Sequence, residues 1–556
     1  MPWNSDLLPK PLDDPARVAK ARGLRRRLLT LAVFVLALVA GSAVYTRLSW
    51  TFPADSDGAS NALQAWQMLH GNPLLRGWML SDVSFYTTEL PQYMLVELAH
   101  GLNEGVIHIA AAITYTLAIL FAALLAAGRG TGRTAAGAAC VAAGIMLAPQ
   151  LSAGILVLLS SPDHIGTSVP VMLAWLILDR ARPRWGVPVL VSLILGWAAV
   201  ADALVLYVAA APLALVCVVR VIHATTRLRA PLASQWYELM LAAGAIVAVA
   251  ASHLALRLVA AFGGFSSPAP KTHVATLSHL LHHNVPVVAH GLLMLFGADF
   301  LDFPVSAFLV LHLVGVLLAV AGIAVTAWRF PRDRDLVAQV LLAGIAINLA
   351  VFLASTSVSW LPTMREIDVV LPFSAALAGR QLAPRIAAAA RWPGAAGITG
   401  ALALVGAGYL AGLWHDVVQP VPPTQAERLA AWLEGHHLTD GLSGYWESNV
   451  VVLASGDRVR VRLVETGHGP LASRGVVSAM LTPGVRESDS AWYDPAHATA
   501  DFVLLFPGSA AFPGFTDRGS VVATFGKPRR TYQVDGFTVL VWPHTNLLAR
   551  LGPANR

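Results

Sequence analysis

Residues 25–60 read RRRLLTLAVFVLALVAGSAVYTRLSWTFPADSDGAS. Three arginines, Arg25 to Arg27, precede an uncharged apolar run from Leu28 to about Tyr45, and a polar segment with Asp55 and Asp57 follows. A helix crosses the hydrocarbon core of a bilayer with roughly 20 apolar residues. The run therefore reads as a first membrane span. No convincing small-residue cleavage site follows it, so the span is expected to be retained rather than removed as a signal.

The same reading extends along the chain. Apolar runs at 28–47, 105–127, 134–159, 203–222, 236–261, 304–327, 335–357 and 394–413 have spanning length, and shorter runs with Pro or Gly lie at 165–178, 186–201 and 366–380. About eleven spans are expected. Of the 556 residues, 56% are hydrophobic and only 13% charged, with a mean hydropathy of +0.62. A soluble chain of this length needs more charge to cover its surface. The net charge of +6 could suggest nucleic acid, but the cations sit in short loops between apolar runs, where membrane orientation explains them. No nucleic-acid partner is expected. Cys140 and Cys217 both lie in apolar runs, which excludes a disulfide framework in the polar parts.

Loop charges set a direction. With Arg17, Lys20, Arg22 and Arg25 to Arg27 in the cytoplasm, alternation places Arg129/Arg133, Arg180/Arg182/Arg184, Arg227/Arg229, Arg329/Arg332/Arg334 and Arg380/Arg385/Arg391 on the same side. The other side holds only Arg47, Arg76, Lys271 and Arg365. The expected layout is a cytoplasmic tail, 1–27, and a transmembrane module, 28–416, with outer loops 48–104 and 262–303. An extracytoplasmic α/β domain, 417–556, completes it. In that last part Thr424 to His437 reads as an amphipathic helix. Val450–Ala454, Val459–Val464, Asp501–Phe506, Ser520–Phe525 and Tyr532–Trp542 read as strands. The fold class is a polytopic α-helical membrane protein with a C-terminal α/β domain.

Four outer segments could carry chemistry. Asp55 and Asp57 precede an amphipathic helix, roughly Ala59 to His70. Two such carboxylates could act as a general base or hold a cation against phosphate oxygens, while Asp57 or Ser60 could equally serve as a helix cap. Asp163 and His164 could contact a polar substrate, or Asp163 could cap the next helix. His279, His282 and His283 share a face by i, i+3, i+4 spacing, which suits either a metal or an interfacial amphipathic helix. Arg365 is permanently charged and donates in a fork that suits a phosphate, and it could also be a snorkelling or ion-paired surface residue. The spans themselves hold almost no ionisable residues, unlike ion-coupled transporters. No nucleotide-binding motif occurs.

This layout resembles the C-type glycosyltransferase superfamily, which includes protein O-mannosyltransferases, bacterial aminoarabinose transferases and oligosaccharyltransferases. The resemblance rests on acidic residues after the first span, a large first outer loop, a midway interfacial segment and an outer C-terminal domain, over residues 28 to 556. It implies transfer of a sugar from a polyprenyl-phosphate carrier to a glycan, lipid or protein acceptor on the extracytoplasmic face of a bacterial membrane. Asp55-Ser56-Asp57 resembles the family's first-loop acidic motif, so Asp57, then Asp55, are implied as catalytic carboxylates or ligands of a divalent metal such as Mg or Mn. Glu89, within Tyr86 to Tyr93, loosely matches the second part of that loop. Asp163-His164 is similar to a second-loop pair, and Arg365 to a residue contacting the carrier phosphate. Lys271 and His282 fall in the position of the mobile interfacial segment. Together these are the implied substrate-binding residues. The aromatics of Gly444 to Asn449 and Ala491 to Pro495 could stack on an acceptor sugar or anchor a small core. The alternative activity is a transporter or flippase of a lipid-linked or envelope substrate. A third possibility is a non-catalytic scaffold.

Overall fold

The computed structural model describes residues 15–552, apart from 269–271, 331, 333, 390–395, 422, 467–479 and 507–516. Helices follow in chain order: α1 (Pro15–Ser49), α2 (Ser56–Leu69), α3 (Glu89–His100), α4 (Gly105–Ala127), α5 (Arg133–Met146), α6 (Ala153–Leu158), α7 (Asp163–Arg180) and α8 (Gly186–Ala201). A π turn at Leu206–Ala210 leads into α9 (Ala211–Thr226), followed by α10 (Trp236–Ala261) and the single turn α11 (Leu277–His279). Then come α12 (Val285–Leu295), α13 (Ala307–Arg329), α14 (Leu336–Leu353), α15 (Val370–Ala389) and α16 (Ala396–Val417). Each of the eleven expected spans coincides with a helix or helix pair. Among the described residues, six segments are long and apolar enough to cross a membrane: α1 from Leu28, α4, Leu206–Thr226, Leu232–Ala261, α13 and α14. The chain is a multi-pass membrane protein.

Expected and observed spans differ at 134–159. The helix stops at Met146 and resumes at Ala153, with Pro149 between and Ser152 at φ +66°. Proline cannot donate its missing N–H to a helix, and a positive φ breaks the helical path. This break carries the chain back toward Ser160, Ser161 and Asp163. α15 is enclosed along its first half, with Phe373, Ala375, Ala376, Leu377 and Ala378 wholly buried. It reaches its neighbours through glycine. A Cβ at Gly379 would lie 2.3 Å from the Ala138 carbonyl oxygen, and one at Gly322 of α13 would lie 2.6 Å from Ala378. Small residues let membrane helices approach this closely.

The C-terminal part adds α17 (Gln425–Gly435), α18 (Tyr445–Ser455) and α19 (Arg518–Phe525). Its strands are β2 (Asp440–Ser443), β3 (Arg460–Thr466), β4 (Leu481–Pro483), β6 (Phe502–Leu505), β7 (Arg530–Val534) and β8 (Phe537–Val541). They form a mixed sheet ordered β4-β3-β2-β6-β8-β7, with β2 parallel to β3 and β6 and the other pairs antiparallel. Thr424 caps α17 in a reciprocal box with Glu427, as the amphipathic pattern implied. Two expected strands are helices. Val450–Ala454 lies within α18 and Ser520–Phe525 within α19. Val450–Ala454 is an apolar run with no polar position to reveal its period, and in Ser520–Phe525 two of the four buried residues, Ser520 and Thr524, are polar, so apolarity alone hides the helical spacing. Asp517 caps α19 by accepting from Ser520 N at 2.9 Å.

The first loop is not independent of this domain. β1 (Trp78–Met79) pairs antiparallel with β5 (Ser488–Asp489), and α18 packs on α2. One apolar core runs from Leu63, Leu75, Trp78 and Tyr93 in the loop to Leu429, Val452, Val461, Phe502 and Val539 in the domain. This joint core holds α2 at the membrane edge.

Candidate functional site

Asp55 is the N-cap of α2: its backbone is extended (φ −99°, ψ 168°), and its Oδ1 accepts from Gly58 N at 2.9 Å. The capping role weighed for Asp57 or Ser60 therefore falls to Asp55. Asp57 sits in the first turn, where the helix dipole favours a carboxylate. The helix also starts three residues earlier than its apolar pattern implied, because Ser56, Asp57 and Gly58 already follow the cap.

Arg365 gathers the acids. It projects from the 3-10 turn Leu361–Ile367 ahead of α15, and its side chain is 12% exposed. Nη1 donates to Asp57 Oδ2 at 2.9 Å and lies 2.9 Å from Asp163 Oδ2. Nη2 donates to Asp55 Oδ2, to Ser160 Oγ at 2.8 Å and to the Leu156 carbonyl at 3.1 Å. Asp163 opens α7 at φ +28°, a conformation few L-residues adopt, and Ser161 Oγ donates to it. Residues from two separate stretches, 55–57 and 156–163, thus share one guanidinium. Three carboxylates against one cation leave a formal −2, and Asp163 Oδ1 is buried without a partner.

The domain closes the site from the other side. Tyr445, the first residue of α18, sets its hydroxyl against Asp57 Oδ1 and Glu487 Oε2. One hydroxyl hydrogen cannot serve two carboxylates, so one of them must bring its own proton. Burial and the charge of Asp57 push Glu487 well above the usual carboxylate range, and Glu487 is the acid that carries it. Burial also lifts Asp57, to about 6; Asp55 adds to the rise and Arg365 opposes it. Trp446, Arg486 and Trp360 line the same cavity, about 500 Å³ in volume.

The remaining sequence candidates divide. His164 lines the cavity and pairs through Nδ1 with Asp202 Oδ2 at 2.9 Å, while Thr167 donates to the same oxygen at 2.6 Å. Glu89 does not line it. Glu89 is buried behind α7, accepts from Thr88 and occupies the space left by the absent side chain of Gly166. Burial raises its carboxyl to about 8. His282 is exposed on the π turn Leu280–Asn284, bonded to the Ser278 carbonyl, and is not brought to the carboxylates. Lys271 lies outside the described residues. Of the aromatics, Trp492 packs between Trp78 and the Arg462 guanidinium, and Tyr493 bonds to the Leu463 carbonyl, so both anchor the domain. Tyr445 and Trp446, read from the sequence as acceptor contacts or core anchors, line the cavity, whereas Glu487 was not singled out. Nothing in spacing links position 57 with 445 or 487.

Asp55, Asp57 and Asp163 each offer an oxygen within 4.8 Å of the others, a set that could hold a cation. Their three Oδ2 atoms already face Arg365, so a metal there would share or displace the guanidinium.

No family model matches the sequence, and no curated protein is significantly similar to it. Solved structures are similar in fold. ArnT from Cupriavidus metallidurans bound to undecaprenyl phosphate matches with a TM-score of 0.53 and 15% identity, over 92% of this chain and 97% of that one. The same protein in the apo state matches at 0.51 and 17%, over 94% and 100%. The oligosaccharyltransferase from Archaeoglobus fulgidus tethered with an acceptor peptide is more distant, at 0.45 and 14%, over 85% and 68%. The ArnT match spans nearly all of both chains, so this chain shares the fold of that structure.

Proposed function

We propose that the chain transfers a sugar from a polyprenyl-phosphate donor to an envelope acceptor, a glycan, lipid or protein. The observation that carries this reading is the convergence of Asp55, Asp57, Asp163 and Arg365 in one cavity at the ends of membrane helices. The whole-length likeness to ArnT supports it, and that relative has been seen with undecaprenyl phosphate bound. Domain 417–556 and the carboxylate cavity are placed on the extracytoplasmic face and the tail 1–27 in the cytoplasm, in keeping with the loop arginines.

Asp57 acts as general base and takes the proton of the acceptor hydroxyl or amine as that atom bonds to the anomeric carbon. The bond from that carbon to the phosphate oxygen breaks, and its electron pair leaves with the phosphate. Arg365 neutralises that departing charge, which grows only in the transition state. A carboxyl at about 6 is ionised at neutral pH yet remains basic enough to accept a proton. Asp55 and Asp163 hold the guanidinium in place, and Tyr445 orients Asp57. Where a divalent cation such as Mg or Mn takes part, Asp55, Asp57 and Asp163 are the residues that would hold it. It would supply further positive charge to the phosphate.

Transport is the second reading. A substrate path would place polar groups midway along the spans, whereas Asp55, Asp163 and Arg365 all sit just before or at helix starts. The test is undecaprenyl phosphate binding by the purified chain. Arg365→Ala is expected to weaken it at least tenfold, and Asp57→Asn to leave it nearly unchanged while abolishing transfer. Transfer by Asp57→Asn at the wild-type rate would overturn the assignment.

A further inference from the structure

The face of the membrane region opposite the carboxylates carries a second polar cavity. α7 begins at Asp163 in the site and ends beside Asp179, about 25 Å away for a helix of this length. There Arg380 bridges Asp179 and Asp335, and Asp335 caps α14. Next to this bridge, between the ends of α9, α10, α13 and α14, lies a cavity of about 780 Å³.

Its chemistry is cationic at the rim and apolar along one wall. Among the described residues that line it, Arg220, Arg332 and Arg334 meet one carboxylate, Glu238. Arg220 is held at 3.0 Å from Gln339 Oε1 and 3.7 Å from Glu238, and its Nε is buried without a partner. Arg332 and Arg334 are exposed, and neither guanidinium has a carboxylate partner among the described residues. Phe330, Val219 and Leu228 continue the cavity as an apolar surface; Leu228 is 67% exposed and Val219 41%. Val219 lies on the membrane-crossing segment Leu206–Thr226 and Leu228 two residues beyond its end, so both are positioned to meet acyl chains. A ligand that fits must therefore join a negative group to a hydrocarbon tail at the membrane boundary.

We propose that this cavity binds the phosphate of an anionic membrane lipid, with Arg332 and Arg334 as the exposed half of a clamp whose other half is the partly buried Arg220. Forked guanidinium donors match phosphate oxygens, and basic pockets between helices on a membrane face recruit anionic headgroups. The tail would run over Leu228 and Val219. The bound lipid would tie α9 to the loop between α13 and α14, which no described salt bridge other than through Arg380 secures. The inference does not depend on the reaction at the opposite face.

The experiment uses the full chain, delipidated in detergent, with melting followed by tryptophan fluorescence. Phosphatidylglycerol is expected to raise the melting temperature by on the order of a few degrees, and phosphatidylcholine and sodium phosphate to leave it unchanged. The exposed double variant Arg332→Ser/Arg334→Ser should melt like the wild type without lipid and lose the phosphatidylglycerol shift, while Arg332→Lys/Arg334→Lys keeps part of it. Equal shifts from both lipids would overturn the proposal, as would a full shift in the serine variant. A shift from inorganic phosphate alone would identify a soluble anion as the occupant and overturn it as well.

Discussion

Arg365 illustrates how one residue organises a site from its surroundings. Its charge would be costly beneath the membrane edge without partners, and three carboxylates meet that cost; conversely, three carboxylates could not remain ionised together without it. Asp57→Asn removes the base while keeping shape and hydrogen bonding, so kcat is expected to fall by about 10²–10⁴-fold with the protein still inserted. Because Asp57 must be ionised to act, kcat/KM should decline about tenfold per pH unit below about 6. Glu89 works in the opposite sense. Its folded value, about 8, lies above its ordinary 4.5, so its contribution to stability is complete below 4.5 and is lost as pH rises through about 8. Glu89→Gln should therefore flatten the fall in melting temperature between about pH 4.5 and 8. An unchanged profile over that range would show that another group titrates.

At the scale of elements, helix starts and helix contacts carry most of the explanation. α2, α7 and α18 each begin at the site and deliver Asp57, Asp163 and Tyr445 there, while the break between α5 and α6 brings in Ser160. α15 stands between α5 and α13 on glycines. Gly379→Ala is expected to destabilise the bundle by about 1–3 kcal/mol, since its Cβ would overlap the Ala138 carbonyl. Gly137, on α5, has open space at its Cβ position, so Gly137→Ala should be neutral or stabilising by up to about 1 kcal/mol. Thermal melting of the two variants in the same detergent separates a packing cost from a helix-propensity gain. Spans were legible because spanning length and apolarity are local properties of the chain. α18 was not, because the buried run Val450–Leu453 has no polar face to reveal its period, and α19 was not, because two of its four buried positions are Ser520 and Thr524.

For the whole molecule, the loop 48–104 and the C-terminal domain share one core. Trp78, Tyr93, Val452 and Phe502 share a core, and β1 pairs with β5 across it. A chain truncated after Val417 should expose this loop core, lose Tyr445 and Glu487 from Asp57, and lose transfer. Limited proteolysis within 48–104 would report the exposure. Full activity and unchanged acceptor choice in the truncated chain would show that the domain is dispensable.

The sequence by itself determined the membrane class, the places where the chain crosses, the presence of a polar C-terminal domain, and which short outer segments carry acids and bases. These follow from hydrophobicity and charge, which each residue holds regardless of its neighbours. Only the tertiary structure decided that Asp55 rather than Asp57 caps α2, that Arg365 meets Asp55, Asp57 and Asp163, and that Glu89 and His282 do not line that cavity. It alone brought Tyr445 and Glu487 onto Asp57. Such contacts join residues hundreds of positions apart, and packing between helices and sheet sets them rather than any local pattern.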